Sequence, residues 1–376
     1  MLQGVQQGAR VVVAMSGGVD SSVTAGLLAR AGYDVVGITL QLYDHGAAVG
    51  KKGACCAGID IYDAQQVAQK LNIPHYVLNY EERFRKKVID SFADSYVRAE
   101  TPIPCVLCNK KIKFADMLDF ARDLGAAAMT TGHYIKRTVG PQGPELHVAA
   151  DAARDQSYFL FTTTPDQLNF VHFPLAEYTK QETRAIAADL GLTIAQKPDS
   201  QDICFVPSGD YAGIVAKLRP EAHEAGEIVD EQGHVLGHHA GLIHFTVGQR
   251  RGLNINNRVG EENEPLYVLR LDAEKKHVVV GPAHALGQTV VHLRDMNWVS
   301  GLRPEYAAPE GFAVQVKLRS AMPAASARLL VTSPTTATLT MAEPARGVAP
   351  GQAGVIYAGT QLLGGGWIDK SSRTLS

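Results

Sequence analysis

No run of apolar residues in this 376-residue chain approaches the ~20 needed to span a bilayer as a helix. Met1 to Gly8 carries no apolar core of the kind a secretory signal has, which points to a cytoplasmic protein without membrane attachment. Neither charge dominates: 36 basic residues face 38 acidic ones, for a formal net charge of -2. That balance sets up no global field for nucleic acid, so any contact with RNA has to come from local clusters. Internal repeats and low-complexity tracts are missing too. Cysteines are few and odd in number, five in all, which argues for a reducing compartment and for metal or catalytic use. For any one cysteine alone, a buried inert thiol is the simpler account.

The chain is organised around the stretch from Arg10 to Ser22, RVVVAMSGGVDSS. Its β-branched run reads as a buried strand that ends in Ser16–Gly17–Gly18. A helix pattern follows, with Val23, Leu27 and Leu28 apolar and with Asp20 and Ser21 as cap candidates. Two glycines between strand and helix let backbone N–H groups converge at the positive end of a helix dipole, which makes a phosphate cradle. The Walker loop is excluded, because no Gly-Lys-Ser/Thr follows the glycines. The pattern Ser-Gly-Gly-x-Asp-Ser resembles the PP-loop ATP pyrophosphatases, which cleave ATP between its α and β phosphates.

A length of 376 residues implies two or three domains. Strands are expected at 35–42, 74–78 and 126–131, and helices at 60–71, 82–100, 109–124 and 180–190. Such alternation implies an α/β fold with a doubly wound parallel sheet, whose ligands sit at the carboxyl ends of the strands. Thr131–Gly132–His133 closes one strand, so Gly132 would let a nucleotide approach, and His133 is either a structural imidazole or a substrate contact. Past Tyr211 turn signals multiply. Short strands at 266–271 and 277–280 mark a small central region, and alternation at 314–319 and 337–341 marks a C-terminal β-barrel or sandwich. Gly364–Gly365–Gly366 reads as a turn. The division is 1–210 for the ATP-binding catalytic domain, 211–284 for the central domain and 285–376 for the barrel.

Cys105 and Cys108 form a CxxC that follows Pro102 and Pro104. The prolines hold the approach extended, so a helix should begin near Asn109 with Cys108 at its N-terminus. Dipole and the nearby Lys110, Lys111 and Lys113 would then favour the thiolate, although three lysines are more simply a solvated helix face. A lone CxxC reads as a redox dithiol, half a zinc site, or cluster ligands. Cys55 and Cys56, adjacent in a glycine-rich loop, make a poor second zinc pair and read as non-catalytic. Cys204, in a polar loop, supplies a further thiol. Three thiols near an ATP site suit sulfur transfer by persulfide, or a cluster with one open iron.

SGGVDSS, CVLCNKKIKF, TGHY, RDQSYFL, PDSQDICFVPSGDY, FTVGQRRGL and APGQAGVIY, in that order, resemble the tRNA-specific 2-thiouridylases over nearly the whole chain. The resemblance implies ATP-dependent replacement of the C2 oxygen of the tRNA wobble uridine by sulfur carried as a persulfide, that is, a tRNA-uridine 2-sulfurtransferase. It implies that Ala14, Met15, Ser16, Gly17, Gly18, Val19, Asp20 and Ser21 hold ATP phosphates, with magnesium served by Asp20, and that Leu40 and Gly132 line the adenosine pocket. Cys108 matches the family's catalytic cysteine and Cys204 its persulfide cysteine, a pair that closes to a disulfide during turnover. His133, Arg154, Asp155, Gln156 and Gln352 match positions that meet tRNA at the anticodon loop, and a persulfide donor protein is the expected second partner.

Two departures stand out. Many members have Asn-Pro-Asp at the target base where this chain has Ile103–Pro104–Cys105, and several have Arg-Tyr in the barrel where it has Arg319–Ser320. With Cys105 present, Cys105, Cys108 and Cys204 are candidate ligands of a four-iron four-sulfur cluster, as in related thiolases. Two rival readings are another PP-loop activity (amide formation or lysine transfer to tRNA) and a nucleotide-sensing module without chemistry. Neither rival needs a thiol pair.

Overall fold

The computed structural model describes residues 1–43, 56–199, 202–206, 209–255, 264–299 and 310–373. Expectations that fall on Cys55, Ser200, Gln201 and Pro207 lie outside them. Seven strands belong to the first 200 or so residues: β1 (Arg10–Ala14), β2 (Asp34–Gln41), β3 (His75–Asn79), β4 (Ala128–Thr131), β5 (Lys136–Gly140), β6 (Gly143–His147) and β7 (Val171–His172). Five of them make a parallel sheet in the order β3-β2-β1-β4-β7. β1 is central because each of its faces is apolar. Val12 packs with Val36, Ile38, Phe114 and Met129, while Val11 and Val13 pack with Val23, Leu28 and Leu175. Each such side chain contributes about 1.5–3 kcal/mol on burial.

The helices on these two faces are α1 (Val19–Arg30), α2 (Cys56–Leu71), α3 over 81–97, α4 over 104–123, α5 (Pro165–Phe170) and α6 (Lys180–Asp189); α7 (Tyr211–Leu218) follows. α2 therefore begins four residues before the expected Asp60. α3 and α4 each contain a π-helical stretch, Arg85–Ile89 and Asn109–Met117. α4 begins at Pro104, which occupies its first turn, so the helix start expected near Asn109 is corrected. Proline suits that place because its missing N–H would find no partner there in any case.

The central region holds β8 (Gly226–Val229), β9 (Val235–His239), β10 (Tyr267–Asp272) and β11 (His277–Gly281), in the order β10-β11-β8-β9. The remaining strands are β12 (Gly287–Trp298), β13 (Phe312–Lys317), β14 (Ala325–Ser333), β15 (Thr336–Arg346), β16 (Ala353–Ala358) and β17 (Gln361–Ile368). β12 pairs with both β15 and β17, which closes a six-stranded barrel. Gly364–Gly365–Gly366 lies inside β17, not in a turn. A Cβ on Gly364 would stand 2.2 Å from the Asn297 carbonyl, and one on Gly365 2.8 Å from that of Gly354, so side chains are excluded by close strand approach.

The hairpin β5–β6, which sequence periodicity does not reveal, leaves the first domain and adds to the barrel's sheet, pairing Leu146 with Leu362 and His147 with Gln361. A second junction joins the segment before α4 to the barrel: the Thr101 N–H donates to the Pro350 carbonyl at 2.7 Å, and Gln352 Nε2 donates to the Thr101 carbonyl at 3.0 Å. No helix among the described residues is long and apolar enough to cross a membrane.

Candidate active site

The loop between β1 and α1 closes on itself through Ser21. The Ser16 N–H donates to Ser21 Oγ at 3.1 Å, and that hydroxyl donates to the Gly18 carbonyl at 3.2 Å. Gly18 is the N-cap of α1 and no side chain caps the helix, which corrects the expectation for Asp20 and Ser21. The first-turn N–H groups are thus left for an external anion. Gly17 has φ +74°, and a Cβ there would lie 2.0 Å from the Asp60 carbonyl on α2. At Gly132 a Cβ would lie 2.7 Å from the Ser21 nitrogen. That glycine is needed for the close approach of the β4 end to the loop backbone, not only for room around a ligand.

Two recesses open on this loop, at the carboxyl ends of the strands. The larger, about 380 Å³, is lined by Ser16, Gly18, Asp20, Leu40, Lys180 and Asp199, and by Cys204. The smaller, about 230 Å³, is lined by Ala14, Met15, Leu40, Lys113, Gly132 and His133. Ser16, Asp20, Leu40 and Gln156 border both.

A charge network that the sequence motifs do not single out crosses the larger recess. Lys180 Nζ, at the start of α6, bridges Asp20 Oδ1 at 2.7 Å and Asp199 Oδ1 at 2.8 Å. Asp199 also receives Arg184 and Arg154, each at 3.0 Å. Burial raises the Asp199 carboxyl, but Lys180, Arg154 and Arg184 outweigh it and hold the group below its ordinary value. Lys197 Nζ donates to the Gly17 carbonyl at 3.0 Å and pairs with Asp60 and Asp63. Burial works against its charge, and the two carboxylates hold it above its ordinary value all the same. Tyr134 donates its hydroxyl to Asp20 at 2.9 Å. The one signal that could have found these residues is the density of charge around PDSQD. Four cations at one rim, countered by carboxylates, suit a polyanion such as a nucleotide's phosphates.

Cys105, Cys108 and Cys204 are free thiols. Cys108 is 8% exposed and sits one turn inside α4, packed in the cluster that holds Phe205 and Val206 beside Cys204. Burial raises its thiol above the ordinary value, opposed by Lys113, so the thiolate expected from a helix N-terminus is not favoured at rest. Cys204 is exposed at the surface, yet the protein packed around it pushes its thiol upward, with Cys108 and Cys105 adding to the rise. His133 is held well below its ordinary value by burial first and Lys113 second, so the ring is neutral near pH 7; it shares a hydrogen with Thr131 Oγ1 at 2.7 Å.

The comparisons with known proteins take up these motifs. Residues 9–208 match a tRNA methyl transferase HUP domain, residues 214–282 a tRNA methyl transferase PRC-barrel domain, and residues 288–368 an aminomethyltransferase beta-barrel domain. The tRNA-specific 2-thiouridylase MnmA of Rhodospirillum centenum is 61% identical over 96% of this chain and 92% of its own. The tRNA-specific 2-thiouridylase MnmA of Paracoccus denitrificans is 56% identical over 96% and 91%. The chain belongs to the tRNA-specific 2-thiouridylases. A solved 4-thiouridine synthetase–RNA complex with bound ATP aligns at 18% identity over 57% of this chain and 50% of that one, with a TM-score of 0.35, too low to carry an argument.

For a thiouridylase, the expected site residues divide into two sets. Ala14, Met15, Ser16, Gly18, Val19, Asp20, Ser21, Leu40, Gly132, His133, Arg154, Gln156 and Cys204 each border one or both recesses, whereas Gly17 and Cys108 line neither. Nor does Asp155: its side chain is 3% exposed and accepts from Ser157 Oγ at 2.6 Å, with Lys317 at 3.5 Å. Arg319 donates to the Gly347 and Val247 carbonyls, each at 3.0 Å, tying the barrel to the central region, with exposed Ser320 beside it. Ile103 and Pro104 are buried, and Cys105 is exposed. Gln352 is engaged by Thr101 as described above.

Among the described residues no group of three or more His, Cys, Asp or Glu side chains converges in a way that could hold a metal ion. The three thiols are thus not arranged as a metal-binding group in this structure. Magnesium carried on nucleotide phosphates requires as little as one protein carboxylate. Asp20, 32% exposed and bordering both recesses, fits that requirement.

Proposed function

We propose that this chain performs the ATP-dependent 2-thiolation of the wobble uridine of tRNA, as a tRNA-uridine 2-sulfurtransferase. The observation that carries this reading is that Cys204 borders the same recess as the phosphate-binding turn Ser16–Gly18. A nucleotide activator and a sulfur carrier thus face one cavity. The division into domains at 210 and 284 is part of the same reading, as are ATP at Ala14–Ser21, Leu40 and Gly132, and tRNA at the residues matched for it.

In the proposed reaction the C2 oxygen of the uridine attacks the α-phosphorus of ATP, and pyrophosphate leaves. The open N–H groups of α1, with Lys180 and Arg154, would hold the phosphates as charge moves onto them. Magnesium, when bound, supplies further neutralisation of that charge, and Asp20 is the residue that would hold it. A persulfide on Cys204, loaded by a donor protein, then attacks C2 with its outer sulfur, and AMP leaves. Cys108 attacks the inner sulfur, Cys204 Sγ, which frees the thiocarbonyl and forms a Cys108–Cys204 disulfide. An external thiol reductant reopens it. The uridine has to leave its stack to enter the recess.

The test is nucleoside mass analysis of tRNA incubated with protein, ATP-magnesium and a persulfide donor. The reading requires 2-thiouridine and tRNA-dependent pyrophosphate. Pyrophosphate released without any thiolated base would instead favour another PP-loop activity.

A further inference from the structure

Lys197 stands between a 3-10 turn (Thr193–Gln196) and Pro198, which holds its backbone extended at φ -59°, ψ 131°. Its N–H donates to the Ile194 carbonyl at 2.8 Å, and Arg184 of α6 donates to its carbonyl at 3.0 Å. The residue is therefore fixed at its backbone before its side chain makes any contact. The ammonium then meets three acceptors: the Gly17 carbonyl at 3.0 Å, Asp60 at 2.7 Å and Asp63 at 2.5 Å. Asp60 and Asp63 are neighbours at i and i+3 on α2, so both carboxylates face Lys197 from one side of that helix. An ammonium has three N–H donors, so these contacts leave none for a phosphate.

The bond to Gly17 fixes the plane of a peptide. The Gly17 carbonyl and the Gly18 N–H belong to one planar trans unit and point in opposite directions. A glycine stands on each side of that unit, so its rotation meets no Cβ of its own. Gly18 lines the larger recess with Ser16 and Asp20, and it is the N-cap of α1. We propose that Lys197 is a positioning residue of ATP activation: it holds the Gly17 carbonyl so that the Gly18 N–H donates to the nucleotide's phosphates, which Lys197 itself does not touch. This rests on the ATP-binding part of the thiouridylase reading and deepens it. The same ammonium fastens α2 to the turn, where Gly17 already lies close against the Asp60 carbonyl. A carbonyl that accepts from a cation also polarises its peptide, which strengthens the N–H as a donor.

The experiment is calorimetric titration of the full chain with ATP-magnesium and, separately, with adenosine. In Lys197→Met the ATP dissociation constant should weaken roughly tenfold or more, as a hydrogen bond to a charged phosphate is lost. Adenosine binding, which involves no phosphate, should stay within about twofold and reports that the pocket is folded. Charge alone is separated by combining Lys197→Met with Asp60→Asn and Asp63→Asn, which removes one positive and two negative charges. That triple variant should remain weak for ATP, and it leaves no carboxylate unpaired should Lys197→Met alone fail to fold. Equal losses for ATP and adenosine, an unchanged ATP constant, or recovery of ATP affinity in the triple variant each overturn the inference. A wild-type chain that does not bind ATP removes the nucleotide reading along with it. ATP bound equally by wild type and Lys197→Met removes the inference alone.

Discussion

Asp199→Asn takes one negative charge from the point where Lys180, Arg184 and Arg154 meet. The carboxylate is 17% exposed, its partners are 11%, 28% and 43% exposed, and the contacts run from 2.8 to 3.0 Å. Exposed pairs contribute up to about 1 kcal/mol and the breaking of a buried pair costs 3–5, so this half-buried set, with Arg154 discounted for screening, should contribute about 2–3 kcal/mol. For a chain of 376 residues that lowers the melting temperature of the nucleotide-free protein by about 2.5–4 °C. The loss depends on pH in a definite direction. The Asp199 carboxyl is depressed in the folded state, so its contribution is fully present above the unfolded carboxylate value of about 3.9 and disappears as pH falls through the lower folded one. Wild type and variant should therefore differ at neutral pH and converge in strong acid.

The same substitution leaves three cations less neutralised beside the phosphate-binding turn. Binding of ATP-magnesium should then stabilise the variant more than the wild type, with affinity tightened about five-fold for each kcal/mol regained. Differential scanning fluorimetry with and without nucleotide reads both effects. A nucleotide-induced shift that vanishes in the variant would refute the reasoning, because Asp199 would then be a direct ligand of the nucleotide and not a stand-in for its phosphates.

Gly17→Ala should cost about 1–2 kcal/mol for its left-handed backbone alone, and more because Asp60 has to move; calorimetry should find weakened nucleotide binding together with a lower melting temperature. Cys108→Ser and Cys204→Ser should each abolish thiolation in the nucleoside assay while tRNA binding on filters survives, since a hydroxyl neither carries a persulfide nor attacks one. Cys105→Ser should retain activity in protein that contains no iron, and activity that follows iron content would overturn the persulfide route. Arg319→Ala should raise hydrogen exchange near Gly248 and cost about 1.5–3 kcal/mol, as two charge-assisted bonds are lost. A loss of tRNA affinity with unchanged exchange would make Arg319 an RNA contact alone.

The parallel sheet and the phosphate-binding turn are legible in the sequence because their causes are local. Val11 to Val13 are apolar on both faces, and a strand, a glycine pair and a helix follow one another within 13 residues. Lys180 and Lys197 are not legible, because each meets the loop across roughly 160 to 180 residues. The π-helical stretch in α4 is invisible for another reason: a shift from i+4 to i+5 bonding leaves the apolar spacing nearly unchanged. Gly364–Gly366 reads as a turn because glycine marks turns, and also marks places where strands lie too close for a side chain. Only the three-dimensional neighbours Asn297 and Gly354 decide between the two.

The β5–β6 hairpin has a consequence for how the protein is made. Its partner β17 leaves the ribosome more than 200 residues later. Until then the catalytic domain carries an open strand edge, with Leu146 uncovered and Tyr158 without the Ala353 backbone that it bonds in the finished structure. A growing chain in that state presents an edge open to wrong pairing. It also means that the gene cannot be cut cleanly after the catalytic domain. A fragment ending near residue 210 should be poorly soluble, and adding the barrel as a separate polypeptide should rescue it.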